Sequence, residues 1–188
     1  MAEPERARTL LVFAHPALER ARINPAMARG VRDLPGVTFH DLYELYPDFT
    51  VDVEAEQRLL AAHDLIVLQF PLYWYSAPAL LKEWLDLVWL HGFAYGERGR
   101  ALEGKTLFCA VSAGGTEQAY GPGGHNRFTL PDFLRPFEQT AHLCKMRWAE
   151  PFALYGAGLV GEAEIAEGVG RYRERLDGLS LAAARREA

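Results

Sequence analysis

Three short stretches of this chain carry more chemistry than a folded core needs. In the first, Phe13-Ala14-His15-Pro16-Ala17-Leu18-Glu19-Arg20-Ala21-Arg22-Ile23-Asn24-Pro25, an imidazole, two guanidinium groups and a carboxamide stand close together. These are donors for an anion, and arginine grips phosphate with two parallel N–H bonds. In the second, Pro71-Leu72-Tyr73-Trp74-Tyr75-Ser76-Ala77-Pro78, three consecutive aromatics lie between two prolines that fix the shape of the loop. In the third, Ser112 to Asn126, the pair Gly114-Gly115 lets a ligand approach the backbone with no Cβ between. That stretch also holds Tyr120 and His125, a phenol and an imidazole on a flexible segment. Read singly, each stretch is also compatible with a plug over the core or an ordinary surface loop.

Other chemistries lack their residues. The first stretch reads as neither a GxxxxGK nor a GxGxxG loop, and Ser112-Ala113-Gly114 lacks the GxSxG frame of a hydrolase elbow. Cys109 and Cys144 form no CxxC and have no zinc-site neighbours, so they read as buried structural thiols in a reducing compartment, and no metal site is expected.

The elements that must position these stretches follow from the apolar pattern. The runs Thr9–Ala14, Leu65–Phe70 and Thr106–Val111 are nearly continuous, as in strands covered on both faces. Val37–Leu42 and the weaker Glu150–Tyr155 complete five strands. Helical patterns alternate with them at Pro25–Leu34, Val53–Ala62, Pro78–Trp89, Pro131–Leu143 and Glu162–Leu179. Leu81, Trp84, Leu85 and Val88 make the clearest core-facing stripe. This alternation predicts an α/β three-layer sandwich, with a five-stranded parallel sheet and helices on both faces. Residues 1–188 read as a single domain, with 1–8 and 180–188 as frayed ends.

In such a sheet, ligands bind beyond the carboxyl ends of the strands, where strand order reverses. The three stretches follow the first, third and fourth strands, so they converge on one rim if the order is 2-1-3-4-5. An anion site where a strand enters a helix, an aromatic platform and a glycine-lined wall together suit a flat ring system joined to a phosphate. FMN fits that description, with FAD as the alternative. The expected cofactor contacts are His15, Arg22, Ile23, Asn24, Pro71, Leu72, Tyr73, Trp74, Tyr75, Ser112, Gly114, Gly115 and Tyr120.

The segment Gln69-Phe70-Pro71-Leu72-Tyr73-Trp74-Tyr75-Ser76-Ala77-Pro78-Ala79-Leu80-Leu81-Lys82 resembles the flavin-platform motif of the NAD(P)H:quinone oxidoreductases, the DT-diaphorase-like family with a flavodoxin-like fold. His91-Gly92-Phe93-Ala94-Tyr95-Gly96, Gly114-Gly115 with Tyr120 and His125, and His15 with Asn24 resemble other segments of that family. The likeness spans roughly residues 9 to 178 and is greatest to the bacterial branch that includes ancillary quinone reductases of glutathione-gated potassium-efflux systems. It implies two-electron transfer from NADH or NADPH, through bound flavin, to a quinone-like acceptor. It also implies catalytic roles for Tyr120 and His125, a homodimer, and possible docking to a membrane antiporter. One departure stands out. Family members often place Ser or Thr hydroxyls in the first loop, whereas here no hydroxyl lies between His15 and Asn24, and Arg20 and Arg22 stand in that stretch.

Composition narrows the alternatives. The chain has 188 residues, 20 Lys+Arg and 25 Asp+Glu, for a net charge of −5. That balance, with no basic run, argues against nucleic-acid binding and against direct attachment to anionic lipid. No stretch reaches ~20 uninterrupted apolar residues, and the N-terminus does not read as a signal peptide. A cytoplasmic protein is expected, peripheral at the inner membrane only through a protein partner. The competing readings are a regulatory ancillary subunit of a potassium-efflux antiporter and an electron-carrier flavodoxin.

Overall fold

The computed structural model describes residues 5–185. Five strands are joined in one sheet: β1 (Thr9–Phe13), β2 (Val37–Asp41), β3 (Leu65–Pro71), β4 (Thr106–Ser112) and β5 (Arg147–Leu154). Around it lie α1 (Ile23–Val31), α2 (Leu42–Leu45), α3 (Val53–Ala61), α4 (Ala79–Val88), α5 (Leu130–Leu143) and α6 (Glu162–Ala184). All strand pairs are parallel and the order is β2-β1-β3-β4-β5, the flavodoxin-like order on which the convergence of the three stretches depends. Phe13 lies opposite Gln69, and Pro71 lies opposite Ser112. The loops after β1, β3 and β4 therefore leave the sheet at one rim.

The strand sequences are apolar because both faces are covered. Every residue of β1, β3 and β4 is buried. Alternate residues point to opposite faces. Leu10, Val12, Ile66, Leu68, Phe70, Leu107 and Val111 join the core that also holds Leu60, Leu81, Trp84, Val88, Leu134 and Phe137 of α3, α4 and α5. Leu11, Leu65, Val67, Phe108 and Ala110 join the core formed with α1 and α6. The α4 stripe packs as expected, and each of its fully buried side chains contributes roughly 2 kcal/mol of apolar transfer.

Several boundaries differ from expectation for local reasons. Helix α1 begins at Ile23, ahead of Pro25, whose missing N–H falls in the first turn, where N–H groups have no helical partner. The single-turn α2 has no periodicity to read; Asp41 builds it by accepting from the N–H groups of Tyr43 and Glu44. Strand β5 starts at Arg147, earlier than expected. It is an edge strand, and its register shifts opposite Phe108 and Ala110, where Pro151 supplies no donor.

The ends expected to fray are anchored where they are described. Ala7 N–H donates to the Ser180 carbonyl at 3.2 Å, and the Ser180 hydroxyl donates back to the Ala7 carbonyl. Arg6 pairs with Asp177 at 2.8 Å, and Ala7, Ala183 and Ala184 form a small buried cluster. Helix α6 thus runs past Leu179 because its alanines have a surface to cover. Residues 1–4 and 186–188 of that expectation lie outside the described residues.

Candidate functional site

The loops after β1, β3 and β4 enclose two adjoining clefts. The first, about 240 Å³, is lined by His15, Ala17, Arg20, Arg22, Ile23, Asn24, Pro71, Leu72, Tyr73, Ser112 and Gly114, with Ala21 and Ala157. The second, about 250 Å³, is lined by Leu72, Trp74, Tyr75, Gly114, Gly115, Tyr120, His125 and Asn126. Leu72 and Gly114 belong to both. Every site residue expected from sequence therefore lines one cleft or the other.

The first cleft gathers groups that can donate hydrogen bonds to an anion. It sits at the N-terminus of α1, which no side chain caps, so the Ile23 and Asn24 N–H groups are open there. His15 is buried, and burial, partly offset by Glu19, holds its pKa below the ordinary histidine value. The Ala17 N–H donates to His15 Nδ1 at 3.2 Å, so Nδ1 is the unprotonated nitrogen and Nε2 carries the hydrogen. A neutral imidazole with a fixed donor nitrogen results. Asn24 Nδ2 donates to Ser112 Oγ at 2.5 Å, which ties α1 to the end of β4.

Arg22 has a second set of contacts besides the cleft. It lines the cleft, but its guanidinium donates to the Val160 carbonyl at 3.0 Å and pairs with Glu162 at 2.7 Å. Its charge is spent on fastening the start of α6. Among the described residues Arg20 has no ion-pair partner, so Arg20 is the arginine left for an anion.

The second cleft is shaped by an unusual turn. Tyr73 and Ser76 exchange backbone hydrogen bonds of 3.0 Å in both directions. Between them Trp74 and Tyr75 both take positive φ, 48° and 62°. That mirror-image turn favours Gly and Asn, and a non-glycine residue held there costs about 1–3 kcal/mol. Trp74 is 92% exposed, so no core packing offsets its strain. Tyr75 does gain contacts: its ring lies 4.9 Å from that of Phe133, and its hydroxyl donates to Asn126 Oδ1 at 3.2 Å. Strain of this kind clusters at ligand sites in proteins, and here it lies on an exposed aromatic beside a cleft.

The glycine pair divides its labour. A Cβ on Gly114 would meet nothing, so its missing side chain leaves the shared wall of the clefts open. A Cβ on Gly115 would stand 3.2 Å from the Tyr120 ring, so Gly115 makes room for Tyr120. Tyr120 is buried against Phe133 and Tyr155. Burial, reinforced by Tyr75, raises its pKa and keeps the phenol protonated. His125 is exposed at the rim.

Sequence reading missed Asn126, Phe133 and the loop after β5. In that loop Gly156 and Ala157 donate N–H bonds to the Gly115 and Ala113 carbonyls, clamping the glycine wall from behind. Asn126 was flagged only by its neighbour His125; Ala157 carries no signal in sequence. A larger cleft of about 500 Å³ lies between β5 and α6. Its lining includes Glu117, Glu164 and Glu167, which disfavour an anion, and it has none of the aromatic platform. Cys109 and Cys144 are free, buried thiols whose pKa values burial pushes up, to about 11 for Cys144.

Comparison with known proteins agrees with this geometry. A family model described as a flavodoxin-like fold matches residues 7–176. The glutathione-regulated potassium-efflux system ancillary protein KefG of Cronobacter sakazakii is 48% identical over 90% of this chain and 91% of its own. The general stress protein 14 of Treponema denticola, solved in complex with FMN, is 38% identical, with a TM-score of 0.86 over 92% of this chain and 99% of that one. An NADPH-quinone reductase from P. pentosaceus is 37% identical, with a TM-score of 0.81 over 90% of this chain and 97% of that one. Sheet order, rim chemistry and these likenesses agree: the chain belongs to the flavodoxin-like NAD(P)H oxidoreductase family.

Proposed function

We propose that this protein is a flavin-dependent oxidoreductase that binds FMN across the two clefts and passes two electrons from NADH or NADPH to quinones or related electrophiles. The observation that carries this reading is the shared wall: an anion cleft and an aromatic cleft of similar size meet at Leu72 and Gly114. A phosphate and a flat ring joined by a short chain need that arrangement. The residues fit the group, because neutral donors, an uncapped helix N-terminus and Arg20, which has no ion-pair partner among the described residues, suit a phosphate, and the open side of Gly114 suits a ring.

Bound FMN would supply the two-electron chemistry; the chain supplies placement and charge. His15 Nε2–H, the Ser112 hydroxyl, the Ile23 and Asn24 N–H groups and Arg20 would hold the phosphate. The Pro71–Tyr75 segment would carry the ring, with Gly115 and Tyr120 along its far edge. Tyr120, kept protonated by burial, offers a hydrogen bond to developing negative charge. His125, at the solvent edge, exchanges a proton with the acceptor.

The absorption spectrum of the purified protein, with mass spectrometry of the released chromophore, tests this reading. A yellow protein releasing FMN, bleached by NADH or NADPH under anaerobic conditions and restored by a quinone, is expected. A protein that stays colourless with excess FMN defeats it.

A second reading is favoured by the 48% identity to KefG: docking to a potassium-efflux antiporter. No described helix is long and apolar enough to cross a membrane, so such a role requires a protein partner. Co-purification with an antiporter, and transport altered by flavin-site variants, would separate it from a free enzyme. We place the expected homodimer contact on the groove between α4 and α5. There Leu85, Leu90, Phe137 and Leu143 surround Trp89, whose buried indole N–H has no acceptor among the described residues.

A further inference from the structure

Strand β3 is apolar throughout except at Gln69, which is fully buried. A buried carboxamide is tolerated only when its donors and acceptor are paired, and the partners here run in a line. Tyr172 of α6, also fully buried, donates its hydroxyl to Gln69 Oε1 at 3.1 Å. Gln69 Nε2 donates to the Asn24 carbonyl at 2.9 Å and lies 3.4 Å from Asn24 Oδ1. Asn24 Nδ2 then donates to Ser112 Oγ.

The direction of this line is fixed from one end. A backbone carbonyl only accepts, so the nitrogen of Gln69 must face Asn24 and its oxygen must face Tyr172. The Gln69 nitrogen in turn holds the oxygen of the Asn24 side chain toward itself, turning the Asn24 nitrogen toward Ser112. Ser112 Oγ is thereby occupied as an acceptor. Its own hydrogen has no acceptor among the described residues, and Ser112 lines the anion cleft.

We propose that Tyr172, Gln69 and Asn24 form a buried relay that sets the Ser112 hydroxyl as a donor into the anion cleft, making Gln69 and Tyr172 positioning residues for a phosphate-bearing ligand. The proposal rests on the reading that the cleft takes the phosphate of FMN. It assigns a ligand-directed role to two residues outside the cleft lining, and it accounts for the polar residue in the middle of the sheet.

The test compares FMN with riboflavin, the same ring without the phosphate, by fluorescence titration of the full-length protein freed of flavin. Ser112→Ala and Gln69→Met are each expected to raise the FMN Kd about tenfold, as for loss of a hydrogen bond to a charged group, while the riboflavin Kd moves less than about twofold. The double variant should lose no more than Ser112→Ala alone, because both act through one hydroxyl. Tyr172→Phe keeps the ring against Phe108 and Phe152 and should show the same phosphate-selective loss, about threefold. It also serves if Gln69→Met does not fold. Equal weakening of FMN and riboflavin, full additivity in the double variant, or no change in any variant overturns the relay. A wild type that binds FMN no better than riboflavin overturns the phosphate-site reading itself, and the relay with it.

Discussion

At the residue scale, the proposed site separates groups that would hold a ligand from groups that would react. His15 is a holder: burial keeps it neutral, and the Ala17 N–H fixes which nitrogen donates. His125 is the opposite, exposed at the rim of the ring cleft with no packing role to lose. Replacing His125 by Gln is therefore expected to lower turnover by about 10²-fold while FMN remains bound. Stopped-flow measurement of both half-reactions decides it; unchanged rates in both remove His125 from the chemistry. His125, Tyr120 and the glycine pair could be named from sequence because their spacing after the fourth strand resembles a segment of the quinone oxidoreductase family. Arg22 could not be judged there, since its partner Glu162 is far away along the chain.

At the scale of elements, the turn after β3 trades stability for presentation. Trp74 gains no burial and holds a left-handed backbone. Asparagine adopts that conformation readily. Trp74→Asn is expected to stabilise the flavin-free protein by about 1 kcal/mol and to weaken retention of FMN. Thermal unfolding of the flavin-free form and colour retained through gel filtration would check the two halves. A variant that is less stable when free of flavin and equally yellow would mean that Trp74 is held for packing. The aromatic run was legible in the sequence, but the positive φ values were not. They arise from the antiparallel pairing of Tyr73 with Ser76, which no residue preference announces.

At the scale of the whole molecule, four elements on one side of the sheet meet at a single carboxylate. Glu56 of α3 is 2% exposed. It accepts from His40 of β2 at 2.9 Å, from Tyr46 just after α2 at 2.6 Å and from Trp84 of α4 at 2.7 Å. Burial alone would raise its pKa, but these donors outweigh burial and hold it below the ordinary carboxylate value of 4.5. The folded state thus binds its proton later than the unfolded state. The stability it contributes is present above pH 4.5 and fades as pH falls through the lower folded-state value. Glu56→Gln, which aims an amide hydrogen at donors, should destabilise by about 3 kcal/mol near neutrality. The gap from wild type should narrow on acidification; denaturant unfolding across that range would show it, and a constant gap would contradict it.

What the sequence determined by itself was the layered architecture and the rim. Burial on both faces of a parallel sheet writes itself as unbroken apolar runs, and the residues just past those runs have to face the carboxyl edge. It also marked the two chemical ends of the site, because anion donors and consecutive aromatics are local in the chain. The tertiary structure alone decided which arginine is left for an anion, which tautomer His15 adopts, that Gly115 serves Tyr120, and that Gln69 lies in a polar line from α6 to Ser112. Each of these depends on a partner distant in sequence or on a backbone angle. Hydrogen-bond direction and charge pairing are properties of pairs in space, and a linear pattern of residue types does not contain them.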